Sequence, residues 1–123
     1  MLFRSLFSVF PSFDLRPKDT TAYVNDNLWL HCSATGDPKP KISWSKEENI
    51  VKLDKQRFIQ YPNGTLHIKN VRLEDQGRYY CIAGNHDGLI QSKFSLVVQS
   101  KLTNVLAFKL WFNNIFNIWW DPG

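Results

Sequence analysis

An all-β sandwich of two antiparallel sheets is the fold this sequence predicts, and three observations predict it. From Phe13 to Gln99 apolar and polar residues alternate in short runs, with no helical stripe of useful length. Turn residues separate those runs at regular intervals, as in "GDPKPK" and "PNG". The only two cysteines, Cys32 and Cys81, both fall on the inward phase of such runs. A chain of 123 residues holds one domain with a real core and is too short for two.

The runs follow in order. "LWLHC" turns Leu28, Leu30 and Cys32 to one face and Trp29 and His31 to the other. In "GDPKPK" each proline biases its predecessor away from helix, giving a turn and an extended approach. "ISWS" points Ile42 and Trp44 inward. "RFIQY" leads to Pro62 and Asn63-Gly64, which reads as a type I′ hairpin turn with both central residues at positive φ. "TLHI" returns with Leu66 and Ile68 inward and His67 outward. "RYYCIA" lines up Tyr79, Cys81 and Ala83, and "KFSLVV" closes the domain with Phe94, Leu96 and Val98 inward.

"LEDQGRYYC" carries the most information. Tyr79 lies two before Cys81, Gly77 four before and Asp75 six before. Cysteine, tryptophan and cysteine at positions 32, 44 and 81 form the immunoglobulin signature, with the bridge joining opposite sheets and Trp44 packed on it. Tyr79 stands where a tyrosine corner belongs, its hydroxyl reaching back to upstream backbone. Gly77 permits the tight corner. Asp75 caps it and is expected to pair with Arg57, and Leu73 is expected to plug the core beneath the same loop. All of these roles are structural.

Phe13 to Gln99 resembles an I-set immunoglobulin domain of a cell-surface receptor. It is most similar to the membrane-proximal immunoglobulin domain of the protein tyrosine kinase seven (off-track-like) family of inactive receptor kinases. The runs that carry the resemblance are "FDLRPKDTTAYV", "GDPKPKISW", "PNGTLHIKNVRLEDQGRYYCIAGN" and "SLVV". The resemblance implies a type I receptor with tandem immunoglobulin domains, acting in adhesion and Wnt-linked polarity signalling on the extracellular side of the plasma membrane. It implies protein partners, namely neighbouring immunoglobulin domains and cell-surface or secreted ligands. A secreted or matrix module, or an intracellular muscle-type module with reduced thiols, are the alternatives. One departure is the turn before "LWLHC", where Asn25-Asp26-Asn27 replaces the usual glycine; Asn and Asp tolerate left-handed backbone, so the turn is expected to survive.

Enzymatic motifs are missing from the sequence: it has no phosphate loop, HExxH or GxSxG. No catalytic, cofactor-binding or metal-binding residue is expected. His31 and His67, read as surface residues on neighbouring strands, lack a carboxylate partner. The net charge of +4 comes from 15 basic and 11 acidic residues spread along the chain, not the clustered footprint of a nucleic-acid binder. Asn63-Gly64-Thr65 is a candidate N-glycosylation sequon on a hairpin tip.

The ends read differently from the middle. Residues 1–12 form an extension or fragment start, with a short apolar run broken by Ser5 and Ser8 and no clear cleavage site. Residues 100–123 form an apolar tail interrupted by Lys109 and four asparagines, a poor membrane span. Both ends are expected to be poorly ordered. The tail is expected to lie outside the fold, as read-through past a coding end or as a segment that adheres to a membrane or partner.

Overall fold

In a computed structural model of the chain, residues 8–47, 54–100 and 104–119 are described. Among the described residues, nine strands run in chain order: β1 (Val9–Leu15), β2 (Thr20–Tyr23), β3 (Leu28–His31), β4 (Ser33–Asp37), β5 (Lys41–Lys46), β6 (Phe58–Gln60), β7 (Thr65–Ile68), β8 (Gly77–Asn85) and β9 (Gly88–Gln99). A 3-10 turn (Leu73–Asp75) joins β7 to β8, and a helix, α1 (Asn104–Trp119), follows β9.

The strands form two layers. One has the order β2-β9-β8-β5. The other has the order β3-β7-β6, extended by the β1-β4 pair. β3 and β4 follow each other across Cys32, whose amide donates to the Gly64 carbonyl at 3.2 Å, one step further along the β3–β7 register. β2 pairs parallel with β9, Thr20 opposite Leu96, while β8 pairs antiparallel with both β5 and β9. An initial strand that leaves one sheet and rejoins the other beside the last strand is the I-set arrangement, so the predicted all-β immunoglobulin sandwich is the fold.

The alternation of the sequence becomes the core. Leu30, Trp44, Phe58, Leu66, Ile68, Tyr79, Phe94, Leu96 and Val98 are buried between the layers around Cys32 and Cys81. Trp44 lies directly opposite Cys81 in the β5–β8 register and meets Phe94 edge to face at 5.9 Å between centroids. The two sulfurs are bonded, across 49 residues of chain.

Two local features depart from expectation. β1 begins at Val9, ahead of the anticipated boundary at Phe13; Asn85 Nδ2 ties the Val9 carbonyl down at 2.9 Å. The turn at "PNG" is not type I′, because only Gly64 has positive φ (93°) while Asn63 does not. Pro62 holds φ negative at the first central position, Gly64 N–H closes the turn onto the Tyr61 carbonyl at 3.0 Å, and Gly64 takes the left-handed bulge position. A Cβ on Gly64 would also run into the Cys32 carbonyl oxygen. The glycine-free turn at Asn25 does survive, with Asn25 at φ 73°.

The expected disorder of the ends falls largely outside the described residues, since residues 1–7 and 120–123 are among those not described. Within the tail, Asn104–Trp119 is helical and exposes Phe108, Leu110, Trp111 and Phe112. Among the described residues, no helix is long and apolar enough to cross a membrane.

Candidate functional site

Two places gather the residues singled out in the sequence: the corner leading into β8, and the outer face of the β3-β7-β6 sheet.

At the corner, the 3-10 turn folds Asp75 inward, leaving it 4% exposed. Arg57, just before β6, reaches it with both terminal nitrogens: Nη1 donates to Oδ2 at 2.9 Å and Nη2 to Oδ1 at 2.8 Å. The Arg72 amide donates to Oδ2 at 2.7 Å, and Arg57 also donates to the Lys69 and Asn70 carbonyls. The Tyr79 hydroxyl donates to the Asp75 carbonyl, completing the tyrosine corner. Burial alone pushes the Asp75 carboxyl up. The Arg57 and Arg72 hydrogen bonds and the nearby cations outweigh burial, so its pKa lies below the ordinary 3.8. The Asp75 hydrogen bond holds the Arg57 guanidinium charged. Burial, with the Asp75 charge behind it, raises the Tyr79 hydroxyl far above the ordinary tyrosine range. The paired carboxylate and the tyrosine hydroxyl bonded to the Asp75 carbonyl tie the corner to the residue before β6.

Gly77 adopts φ 150°, and a Cβ there would crowd Lys46 Cε at 2.9 Å. Leu73 is a correction: it is 55% exposed, and Val71 at 0% is the residue that plugs the core. The cause is the direction of the 3-10 turn. Turning Asp75 in to meet Arg57 turns Leu73 out. Leu73 lines an open cleft of about 800 Å³ with Val24, Asn25, Asp26, Arg72 and Ser100, at the pole where the chain leaves β9.

The outer face of β3-β7-β6 is a second correction. His67 points outward as expected, but it is 8% exposed. Trp29, its register partner on β3, lies flat on it, ring centroids 3.7 Å apart and planes within 8°. Tyr61 continues the stack on Trp29 at 6.1 Å. His31 is exposed, with Nδ1 3.1 Å from the Thr65 hydroxyl. His31 and His67 therefore engage Thr65 and Trp29, and no group of three or more His, Cys, Asp or Glu able to hold a metal occurs among the described residues. The alternating pattern reveals which face Trp29 and His67 share; only the pairing of β3 with β7 puts one ring on the other.

A bridged two-layer sandwich with a tyrosine corner is the architecture of an immunoglobulin domain. The family model described as Immunoglobulin domain matches residues 11–85, and the chain belongs to that family. Among curated proteins it is similar to Tyrosine-protein kinase-like otk of Drosophila willistoni, with 41% identity over 102 residues, covering 79% of this chain and 9% of that protein. The Drosophila pseudoobscura pseudoobscura counterpart is 42% identical over 97 residues, again covering 9% of the relative. The chain thus spans about a tenth of the length of the curated relatives it matches. Among solved structures it is similar to Drosophila OTK extracellular domains 3-5, with 38% identity, a TM-score of 0.68, and 75% of this chain and 32% of that one covered. The tandem Ig repeats of Dlar align with 33% identity and a TM-score of 0.69 over 76% of this chain and 50% of that one. The off-track-like resemblance read from the sequence is what these similarities show, and they mark the chain as a receptor-type immunoglobulin module.

Proposed function

We propose that this chain is a non-catalytic extracellular recognition module of an off-track-like kinase-related receptor. It acts in cell adhesion and Wnt-linked polarity signalling at the extracellular side of the plasma membrane. The observation that carries this reading is the similarity to OTK extracellular domains, taken with a sandwich closed by the Cys32–Cys81 bridge. Bridges of this kind persist where the environment is oxidising. The folded unit is assigned to residues 9–99, from the first residue of β1 to the last of β9. Its partners are proteins: a neighbouring immunoglobulin domain at the Leu73 cleft, where the chain leaves the sandwich, and ligands on the loops and sheet faces.

The test is surface labelling of intact cells expressing the native gene, with a membrane-impermeant amine reagent. Labelling without permeabilisation, with no alkylatable thiol in the denatured unreduced protein, supports the placement. Labelling only after permeabilisation overturns it. Beads coated with the full chain test adhesion: they should adhere to each other or to cells displaying an off-track-like ectodomain, and failure of both removes the adhesive role.

A further inference from the structure

The sequon lies in a turn whose surroundings go beyond what a hairpin requires. Tyr61-Pro62-Asn63-Gly64-Thr65 closes with Gly64 N–H on the Tyr61 carbonyl and Tyr61 N–H on the Thr65 carbonyl at 2.9 Å. Thr65 N–H lies 3.0 Å from the Asn63 side chain. A backbone N–H only donates, so the atom it faces is the carboxamide oxygen, and Asn63 Nδ2 is directed away from the turn. Asn63 itself is exposed.

Two residues before Asn63, Tyr61 begins an aromatic shelf. Leu66 points into the core, so Thr65 points to the outer face, and Tyr61, hydrogen-bonded across from Thr65, points the same way. Tyr61 is 37% exposed and stacks on Trp29, which is 52% exposed and is held flat by the buried His67. An exposed tryptophan and tyrosine side by side make a sticky patch on a soluble domain unless something covers them. Sugar rings present a face of C–H groups, and the flat negative face of an aromatic ring receives such a face well.

We propose that Asn63 carries an N-linked glycan whose first sugar rests on Tyr61, with the rest of the core covering Trp29. The inference rests on the extracellular reading above, because the donor is a lipid-linked oligosaccharide pyrophosphate of the secretory pathway. In the transfer, Asn63 Nδ2 loses a proton and bonds to the anomeric carbon. The bond from that carbon to the pyrophosphate breaks, and the pyrophosphate leaves with the electron pair and takes up the proton. The glycan then occupies the outer face of β3-β7-β6 and directs protein partners to the loops and to the β2-β9-β8-β5 sheet.

The test uses the full chain secreted behind a cleavable leader, alongside Asn63→Gln and Tyr61→Leu. Intact mass should fall on treatment with an amidase specific for glycosylated asparagine, and Asn63→Gln should show no such fall. Thermal unfolding should give a higher midpoint for the glycosylated chain than for Asn63→Gln. An endoglycosidase that leaves a single sugar should preserve most of that gain, and Tyr61→Leu should lose most of it. Proton resonances of the first sugar should be shifted upfield by the Tyr61 ring and return to ordinary positions in Tyr61→Leu, a readout that does not depend on stability. An unmodified Asn63 in protein whose Cys32–Cys81 bridge has formed overturns the inference, leaves the extracellular reading standing and makes the bare shelf a protein-contact face. A glycan whose gain and resonances are indifferent to Tyr61 overturns the shelf. Free thiols together with an unmodified Asn63 overturn both readings.

Discussion

Asp75→Asn tests the corner directly. The substitution preserves shape and leaves one oxygen to accept from the Arg72 amide. It replaces the other oxygen with an NH2 group facing the Arg57 guanidinium, donor against donor. The Nη2 bond at 2.8 Å is lost, and the Nη1 bond at 2.9 Å, made to the oxygen that also serves Arg72, is left with a neutral acceptor. The Arg57 side chain, 13% exposed, keeps its charge with that neutral oxygen and the Lys69 and Asn70 carbonyls to receive it. Removing one partner of a buried pair costs about 3–5 kcal/mol. The retained carbonyl contacts place the expected loss at the lower end, about 3 kcal/mol, or roughly 12–24 °C in midpoint for a domain of this size. Urea unfolding followed by far-ultraviolet circular dichroism measures it. A double-mutant cycle with Arg57→Met should return a coupling of about 2–3 kcal/mol. The pH dependence supplies an independent check of sign. Asp75 has its pKa lowered in the fold, so its contribution is fully present above the ordinary 3.8 and is lost as pH falls through the depressed native value. The parent protein should therefore lose stability in that acid window, and Asp75→Asn should lose less there. A cost below about 1 kcal/mol with no coupling to Arg57 would refute the view that this pair locks the corner.

Other consequences are checked on the same denaturation curves. Reducing the bridge, or replacing it by Cys32→Ala/Cys81→Ala, should cost about 4 kcal/mol from loop-closure entropy across 49 residues. Tyr79→Phe removes the hydroxyl bond to the Asp75 carbonyl while keeping the ring, and should cost about 1 kcal/mol. Val71→Ala should cost about 2 kcal/mol, whereas Leu73→Ala, at the residue expected from the sequence to plug the core, stays within about 0.5 kcal/mol. Gly64→Ala should cost more than about 2 kcal/mol, because its φ of 93° and the Cys32 carbonyl both oppose a side chain.

Much of this molecule was legible along the chain because its determinants are local. Period-two alternation assigned Leu30, Leu66, Tyr79 and Leu96 to the core, since a strand residue has only two faces to choose from. The spacing of Asp75, Gly77, Tyr79 and Cys81 described a corner built within a few residues. Arg57 could be paired with Asp75 because the immunoglobulin order places the start of β6 beside that corner. The positions of Leu73 and Val71, the burial of His67 and the shape of the turn at Asn63 belong to the tertiary structure. Within a one-turn helix, which side chain faces inward depends on which partner holds the turn, and here a guanidinium from another strand holds Asp75. An outward residue is buried only if its strand neighbour carries a ring large enough to cover it, and Trp29 does. Asn-Gly permits more than one turn, and Pro62 with the Cys32 backbone selects among them. Alternation determines which face a residue occupies. What that residue meets there is decided by strands distant in sequence, because contact depends on register, and register is set only when the sheets assemble.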